Sequence, residues 1–167
     1  MGINPWRSQL QLWNEKVHGI EQPMNDAMRR GQEMELDARK AYEFMSGNEV
    51  MPMVAEHDLW EFVSASFDGI SSDFAKGVEI KCGAKSFNQA KDGVIPPYYF
   101  AQMQHQMLVS DLKVIDYFCF NGKEGILLKQ ERDDNFISNL IDRYCSFWHH
   151  VLSKTEPGNP YETTNAF

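Results

Sequence analysis

The segment from Ser64 to Cys82, SASFDGISSDFAKGVEIKC, places charged groups where a buried strand would ordinarily carry none. Asp68 closes an apolar run and Gly69 follows it at once; after the turn SSDFA, Glu79 and Lys81 flank Ile80. Successive side chains of a strand point to opposite faces, so Glu79 and Lys81 share one face and Ile80 takes the other. If WEFVSASFDG and KGVEIKC lie side by side, Asp68 approaches Glu79. Two buried carboxylates in contact repel, and one is expected to take up a proton. A divalent cation removes that difficulty. Two carboxylates and a backbone carbonyl are hard oxygen donors, which suit Mg²⁺ or Mn²⁺ and suit zinc less well. A neighbouring lysine can steer or help deprotonate a water, or neutralise charge developing on a phosphate. The arrangement suits hydrolysis of a phosphodiester bond. Each piece alone has a plainer reading: a solvated edge pair for Glu79 and Lys81, a turn for Asp68-Gly69. Their combination on these elements carries the weight.

The hydrophobic period places the rest. Ser8 caps a short helix over 9–17. A longer helix runs from a cap at Asn25 or Asp26 to a stop at Gly47, with Ala27, Met34, Ala38, Ala41, Tyr42 and Met45 at helical spacing. Stepping about 100° per residue turns Glu33 away from that stripe and sets Glu35 at its margin, nearly in line with Tyr42. The period then shortens: EVMPMVAEH, LWEFVSASFDG and KGVEIKC read as strands. SFNQAKDGVIPP reads as loop, part of it open to helix, and PYYFAQMQHQMLVSD as a helix entered through Pro96-Pro97. KVIDYFCF and GILLKQ form two strands joined by the hairpin signal NGKE. RDDNFISNLIDRYCSFWHHVLSK is a long amphipathic helix with Phe136, Leu140, Ile141, Tyr144, Phe147, Trp148 and Val151 on its apolar side. The expectation is one α/β domain over 1–154 with a central mixed β-sheet flanked by helices, followed by a tail over 155–167.

Composition narrows the function. At 167 residues, 43% apolar and 24% charged, the chain suits a single globular domain. A net charge of −8 argues against a broad nucleic-acid-coating surface and leaves room for a local basic groove or for contact with DNA through metal ions. The three cysteines, Cys82, Cys119 and Cys145, form no C-x-x-C pair, so a disulfide framework, a structural zinc site and a four-ligand iron–sulfur cluster are all disfavoured. They point to a reducing, cytoplasmic compartment. No apolar run is long enough to cross a bilayer, and MGINPWRSQL has no signal pattern. His149 and His150 face about 100° apart on their helix and make a poor metal pair. Arg29, Arg30, Lys85 and Lys91 could contact phosphates, and a solvated face is the commoner explanation for each.

The order Asp68, ten residues, Glu79, one residue, Lys81, after a helix carrying Glu35, resembles the PD-(D/E)XK nuclease superfamily. More narrowly it is similar to the phage lambda exonuclease family, the YqaJ-like viral recombinases. NPWRSQLQLWNEK resembles their S-P-W-x-[ST]-x-x-x-L-W-x-E-K segment, and RGQEMELDARKAYEFMSG their G-x-x-x-E-x-x-A-R-x-x-[YF] helix. SASFDGI stands where the family has S-x-D-G, VEIKC where it has (L/V)-E-(I/L)-K-C, and YYFAQMQHQMLVS looks like Y-x-x-Q-x-Q-x-x-M. The likeness spans about residues 4–120. Phe67 and Gly83 replace the prolines usual at their positions.

The resemblance implies a PD-(D/E)XK, restriction-endonuclease-like core and a Mg²⁺- or Mn²⁺-dependent double-strand DNA 5′–3′ exonuclease of phage recombination. It makes Asp68, Glu79 and the Ile80 carbonyl the metal ligands and Lys81 the catalytic lysine. Glu35 becomes the helix carboxylate that helps hold metal, and Gln102 a residue supporting the site or contacting DNA, with Gln104 ranked below it. It further implies duplex DNA ends as substrate, a ring-like homotrimer, a single-strand annealing protein as partner and, for a phage-encoded chain, the host cytoplasm. Members carry an upstream G-G-S-[DE] stretch and helix before N-P-W; this sequence opens at MGINPW, so recognition of the 5′ end is expected to be incomplete without that segment. Two rivals stand beside this reading: an endonuclease of the same superfamily, and a non-catalytic DNA-binding or assembly relative.

Overall fold

The structure is a computed structural model that describes residues 5–20 and 26–158. Its elements are α1 (Gln9–His18), α2 (Asp26–Ser46), β1 (Met51–His57), β2 (Trp60–Ile70), β3 (Gly77–Cys82), α3 (Ala84–Lys91), α4 (Pro97–Ser110), β4 (Val114–Phe120), β5 (Gly125–Glu131) and α5 (Asp134–Ser153). Two compact units are distinguishable: Met24–Ile137, and a smaller one from Met1–Pro23 with Ser138–Phe167. In the smaller unit Ser8 caps α1 through a reciprocal pair with Gln11, and Gly19, in the left-handed region, ends it. The buried Trp13 donates its indole N–H to the His150 carbonyl at 3.0 Å. The Asn25 position and the Ala27 side chain of the expected second helix lie outside the described residues, as does the tail from 159.

The larger unit is built on a five-stranded sheet in the order β1-β2-β3-β4-β5. All neighbours run antiparallel except β3 and β4, which are parallel. A parallel pair cannot be joined by a hairpin. The chain therefore crosses over between β3 and β4, and α3 and α4 make that crossing. At the other junction Asn121 Oδ1 accepts the Lys123 and Glu124 amides at 2.9 Å each, which closes the tight turn from β4 to β5.

On one face α2 lays Ala38 and Tyr42 against Val50, Val78, Ile80, Phe118 and Phe120, with Met34 and Ala41 at the margin. This is the stripe expected from the sequence, except that Met45 is half exposed. Alternation then sends Glu79, Lys81, Tyr117 and Cys119 to the opposite face, where α4 contributes the buried Met103, Gln104, Gln106 and Met107. The segment after Cys82, read as loop with part of it open to helix, is helical over Ala84–Lys91. Phe87 and Ala90, one turn apart, are buried on one side of it, which is enough to hold so short a helix to the sheet.

β2 and β3 pair at only two positions, Gly69 with Val78 and Ile70 with Gly77. Gly69 makes that pairing possible, since a Cβ there would lie 2.6 Å from Val50 Cγ2 and 2.8 Å from Val78 Cγ1. We expect Gly69→Ala to cost about 1–3 kcal/mol through overpacking, read as a lowered midpoint in chemical denaturation. Gly31 in α2 meets nothing within 4 Å, so Gly31→Ala should instead stabilise by about 0.5–1 kcal/mol. Equal effects from the two substitutions would refute the packing argument.

Candidate active site

Beyond the Gly69–Val78 pair the two strands part, and side chains take over from the ladder. The Asp68 carboxylate reaches across from β2 and its Oδ2 accepts the Ile80 amide at 2.7 Å. An N–H that has lost its strand partner is thereby satisfied, and an acidic group is held in the opening. Glu79, one residue back on β3, has no exposed surface. Its Oε2 accepts an N–H of the Gln106 amide at 2.5 Å. Its Oε1 has no hydrogen bond of ordinary geometry and is met instead by the Lys81 ammonium. That ammonium lies 4.8 Å from the centre of the Tyr99 ring, on α4.

The charges act on one another. Burial pushes the Glu79 carboxyl above the ordinary carboxylate range; Lys81 pulls against that shift and the Asp68 charge adds to it. For Lys81 burial works against the charged form, yet Glu79 and Asp68 together hold it above an ordinary lysine. It is an ammonium near neutral pH. The Cys82 thiol is pushed up to about 11, first by burial and then by the charges of Asp68 and Glu35, which places α2's carboxylate in the same neighbourhood.

Glu35 and Glu33 separate as the helical geometry predicts: Glu33 is exposed and Glu35 half-buried. Glu35 Oε1 accepts from Arg39 Nη2 at 2.6 Å, and the Nε of the same guanidinium donates to the Asp68 carbonyl at 2.9 Å. Arg39 thus ties α2 to the end of β2. The A-R of the helix motif contained it, and its spacing of four residues from Glu35 was the signal that the two share a face.

Gln102 is exposed on α4 and is not among the groups around Glu79; the glutamine that reaches Glu79 is Gln106. Gln104 is buried elsewhere, donating to the Glu131 carbonyl and accepting from the Asp133 amide, each at 2.8 Å. The helical wheel contained the distinction: Gln102 lies about 120° from the centre of the stripe made by Met103 and Met107, whereas Gln104 and Gln106 lie about 80° from it on opposite sides. His149 is exposed, and Cys145 is exposed on α5.

Among the described residues no group of three or more His, Cys, Asp or Glu side chains is arranged to hold a metal ion. What the site offers is a carboxylate pair, Asp68 and Glu79, the backbone of Ile80 between them, and Glu35 nearby in a pair with Arg39. No helix among the described residues is long and apolar enough to cross a membrane.

The uncharacterized protein YqaJ of Bacillus subtilis (strain 168) is 25% identical over 157 residues, which cover 89% of this chain and 49% of that protein, so the chain spans about half the length of this relative. Among solved structures, an alkaline exonuclease (LHK-Exo) from Laribacter hongkongensis is 27% identical with a TM-score of 0.78, covering 89% of this chain and 79% of its own. LHK-Exo in complex with dAMP gives the same TM-score at 26% identity, covering 89% and 80%. A phage-related exonuclease from Haemophilus somnus 129PT, at 16% identity and a TM-score of 0.68, covers 87% and 81% and shares the fold. The core is of the PD-(D/E)XK type. Residues 1–113, the stretch that supplies Glu35, Asp68, Glu79, Lys81 and α4, match the YqaJ-like viral recombinase domain, and the chain belongs to that family.

Proposed function

We propose that the site is a divalent-metal-dependent deoxyribonuclease centre and that the chain acts as a phage-type exonuclease on duplex DNA, degrading from the 5′ end. The observation that carries this reading is Glu79: a fully buried carboxylate set between an ammonium and an amide, with the Asp68 charge beside it. Lys81 by itself faces two carboxylates, so the site is short of positive charge. That deficit fits a hard divalent cation. Asp68, Glu79 and the Ile80 carbonyl would hold Mg²⁺ or Mn²⁺, and Glu35 would assist from α2. So small a protein ligand set matches the habit of Mg²⁺, which keeps waters and substrate phosphate oxygens in its coordination. When bound, such an ion lowers the pKa of a coordinated water and offsets charge on the phosphate.

The chain's own residues do the rest. Lys81, on the same face of β3 as Glu79, is placed to neutralise charge that builds on the phosphate. The Tyr99 ring backs that ammonium. Asp68 both offers an oxygen and, by taking the Ile80 amide, keeps the strands apart where a substrate phosphate would enter. The exonuclease relatives of known structure support this choice of chemistry. Duplex ends as substrate, a homotrimeric ring and an annealing partner rest on the family resemblance.

Linear duplex DNA should be degraded in Mg²⁺ or Mn²⁺ and spared in EDTA, while covalently closed circles stay intact. Nicking of those circles would replace the exonuclease with an endonuclease. DNA binding without hydrolysis in excess Mg²⁺ would favour a non-catalytic relative. Lys81→Ala should lower kcat by about 100-fold or more with DNA affinity nearly unchanged, since an interaction specific to the transition state is lost. Asp68→Ala should instead weaken metal binding, measured by calorimetry. A Lys81→Ala protein with full turnover would overturn the role given to the lysine.

A further inference from the structure

α4 carries two fully buried glutamines, two residues apart, with different work. Gln104 uses one donor and its acceptor on backbone groups of Glu131 and Asp133, which is the ordinary task of a structural amide. Gln106 uses its amide nitrogen twice: Nε2 donates to Glu79 Oε2 at 2.5 Å and to the Ser66 carbonyl at 3.0 Å. Both partners are pure acceptors, a carboxylate and a carbonyl, so the orientation of the amide is dictated by chemistry; turned over, its oxygen would face two oxygens. The consequence is that Gln106 Oε1 is buried with no hydrogen-bond partner. A glutamine retained only for the fold has no reason to carry that cost.

Ser66 lies on β2 and Glu79 on β3, beyond the last rung that joins the two strands. Gln106 bridges the opening from α4 at the point where the ladder has ended. We infer that Gln106 is a positioning residue of the metal site: it occupies Glu79 Oε2, so that Oε1 is the oxygen presented to a cation, and by holding Ser66 at the same time it sets the width of the opening between β2 and β3. This rests on the reading of the site as metal-binding and adds to it a residue outside the ligand set. Partners that orient a ligand in this way are commonly worth about 10–100-fold in metal affinity.

The test is Mn²⁺ binding to the full chain by calorimetry, together with thermal melting in the presence and absence of Mn²⁺. Gln106→Met keeps the volume and removes both donors. It should bind Mn²⁺ about 10-fold more weakly or worse, and Mn²⁺ should raise its Tm less than it raises that of the wild type. Gln106→Asn, which keeps an amide but is one methylene too short to span both acceptors, should weaken binding in the same direction and serves if the Met variant does not fold. Gln104→Met is the control: it should lower Tm with and without metal and leave the Mn²⁺ affinity unchanged. Wild-type affinity in both Gln106 variants overturns the inference and leaves the metal site standing. A wild-type protein that binds no Mn²⁺ overturns both.

Discussion

A carboxylate withdrawn completely from water governs this fold. The isolated charge of Glu79 would be strongly penalised in the sheet interior, so its surroundings are arranged to answer it. Lys81 comes from the same face of the same strand, two residues on, which alternation guarantees. Gln106 comes from α4. Asp68 comes from the neighbouring strand and makes the problem worse, since its charge raises the Glu79 carboxyl further. A stabilising design would not put a second carboxylate there. Its presence is the strongest physical sign that the cluster was kept for chemistry, because perturbed groups that burial and a specific charge partner both act on concentrate at functional sites.

The topology supplies those partners. Because β3 and β4 are parallel, the chain has to leave the sheet after Cys82 and return to it at Val114. The crossing brings α4 to the face that Glu79 and Lys81 occupy, and with it Tyr99 and Gln106. The opposite face is closed by α2, whose apolar stripe packs on Val78, Ile80 and Phe118 while its margin delivers Glu35 and Arg39. One strand, GVEIKC, thus carries core on one side and the charged pair Glu79 and Lys81 on the other. The sheet opens between β2 and β3, where Gly69 forms the last close pair and the next residue back is Asp68.

Much of this could be read from the chain. The period change after Gly47, the NGKE hairpin, the α5 stripe and the alternation of Glu79 with Ile80 are local patterns, and the structure has the elements they imply. α3 is legible only as a segment open to helix, because its eight residues bury only Phe87 and Ala90, too few for a period to stand out from a segment rich in Lys, Asn, Gln and Ser. Gln106 was hidden for another reason. Three glutamines alternate along one turn and a half of α4, and a motif match weights the first; only the angle each makes with the Met103–Met107 stripe tells the exposed one from the two that are buried. Arg39 lay inside a recognised motif with no role, because its two contacts join α2 to a β2 carbonyl and such long-range pairings leave no mark in sequence.

The two oxygens of Glu79 divide the site between them. Oε2 belongs to Gln106, a neutral donor that cannot leave without stranding a buried acceptor. Oε1 faces Lys81, an ammonium on a four-carbon stem. On the proposed reading that difference is functional. Asp68 and Glu79 Oε1 would be the oxygens offered to a divalent cation, Gln106 would keep the carboxylate oriented through Oε2, and the Lys81 ammonium would be available to a negative charge beside them. A phosphate is such a charge. On that reading the net charge of −8 poses less of a contradiction than it would for a protein that coats nucleic acid, since the attraction needed would be local and would come from one bound cation and one lysine.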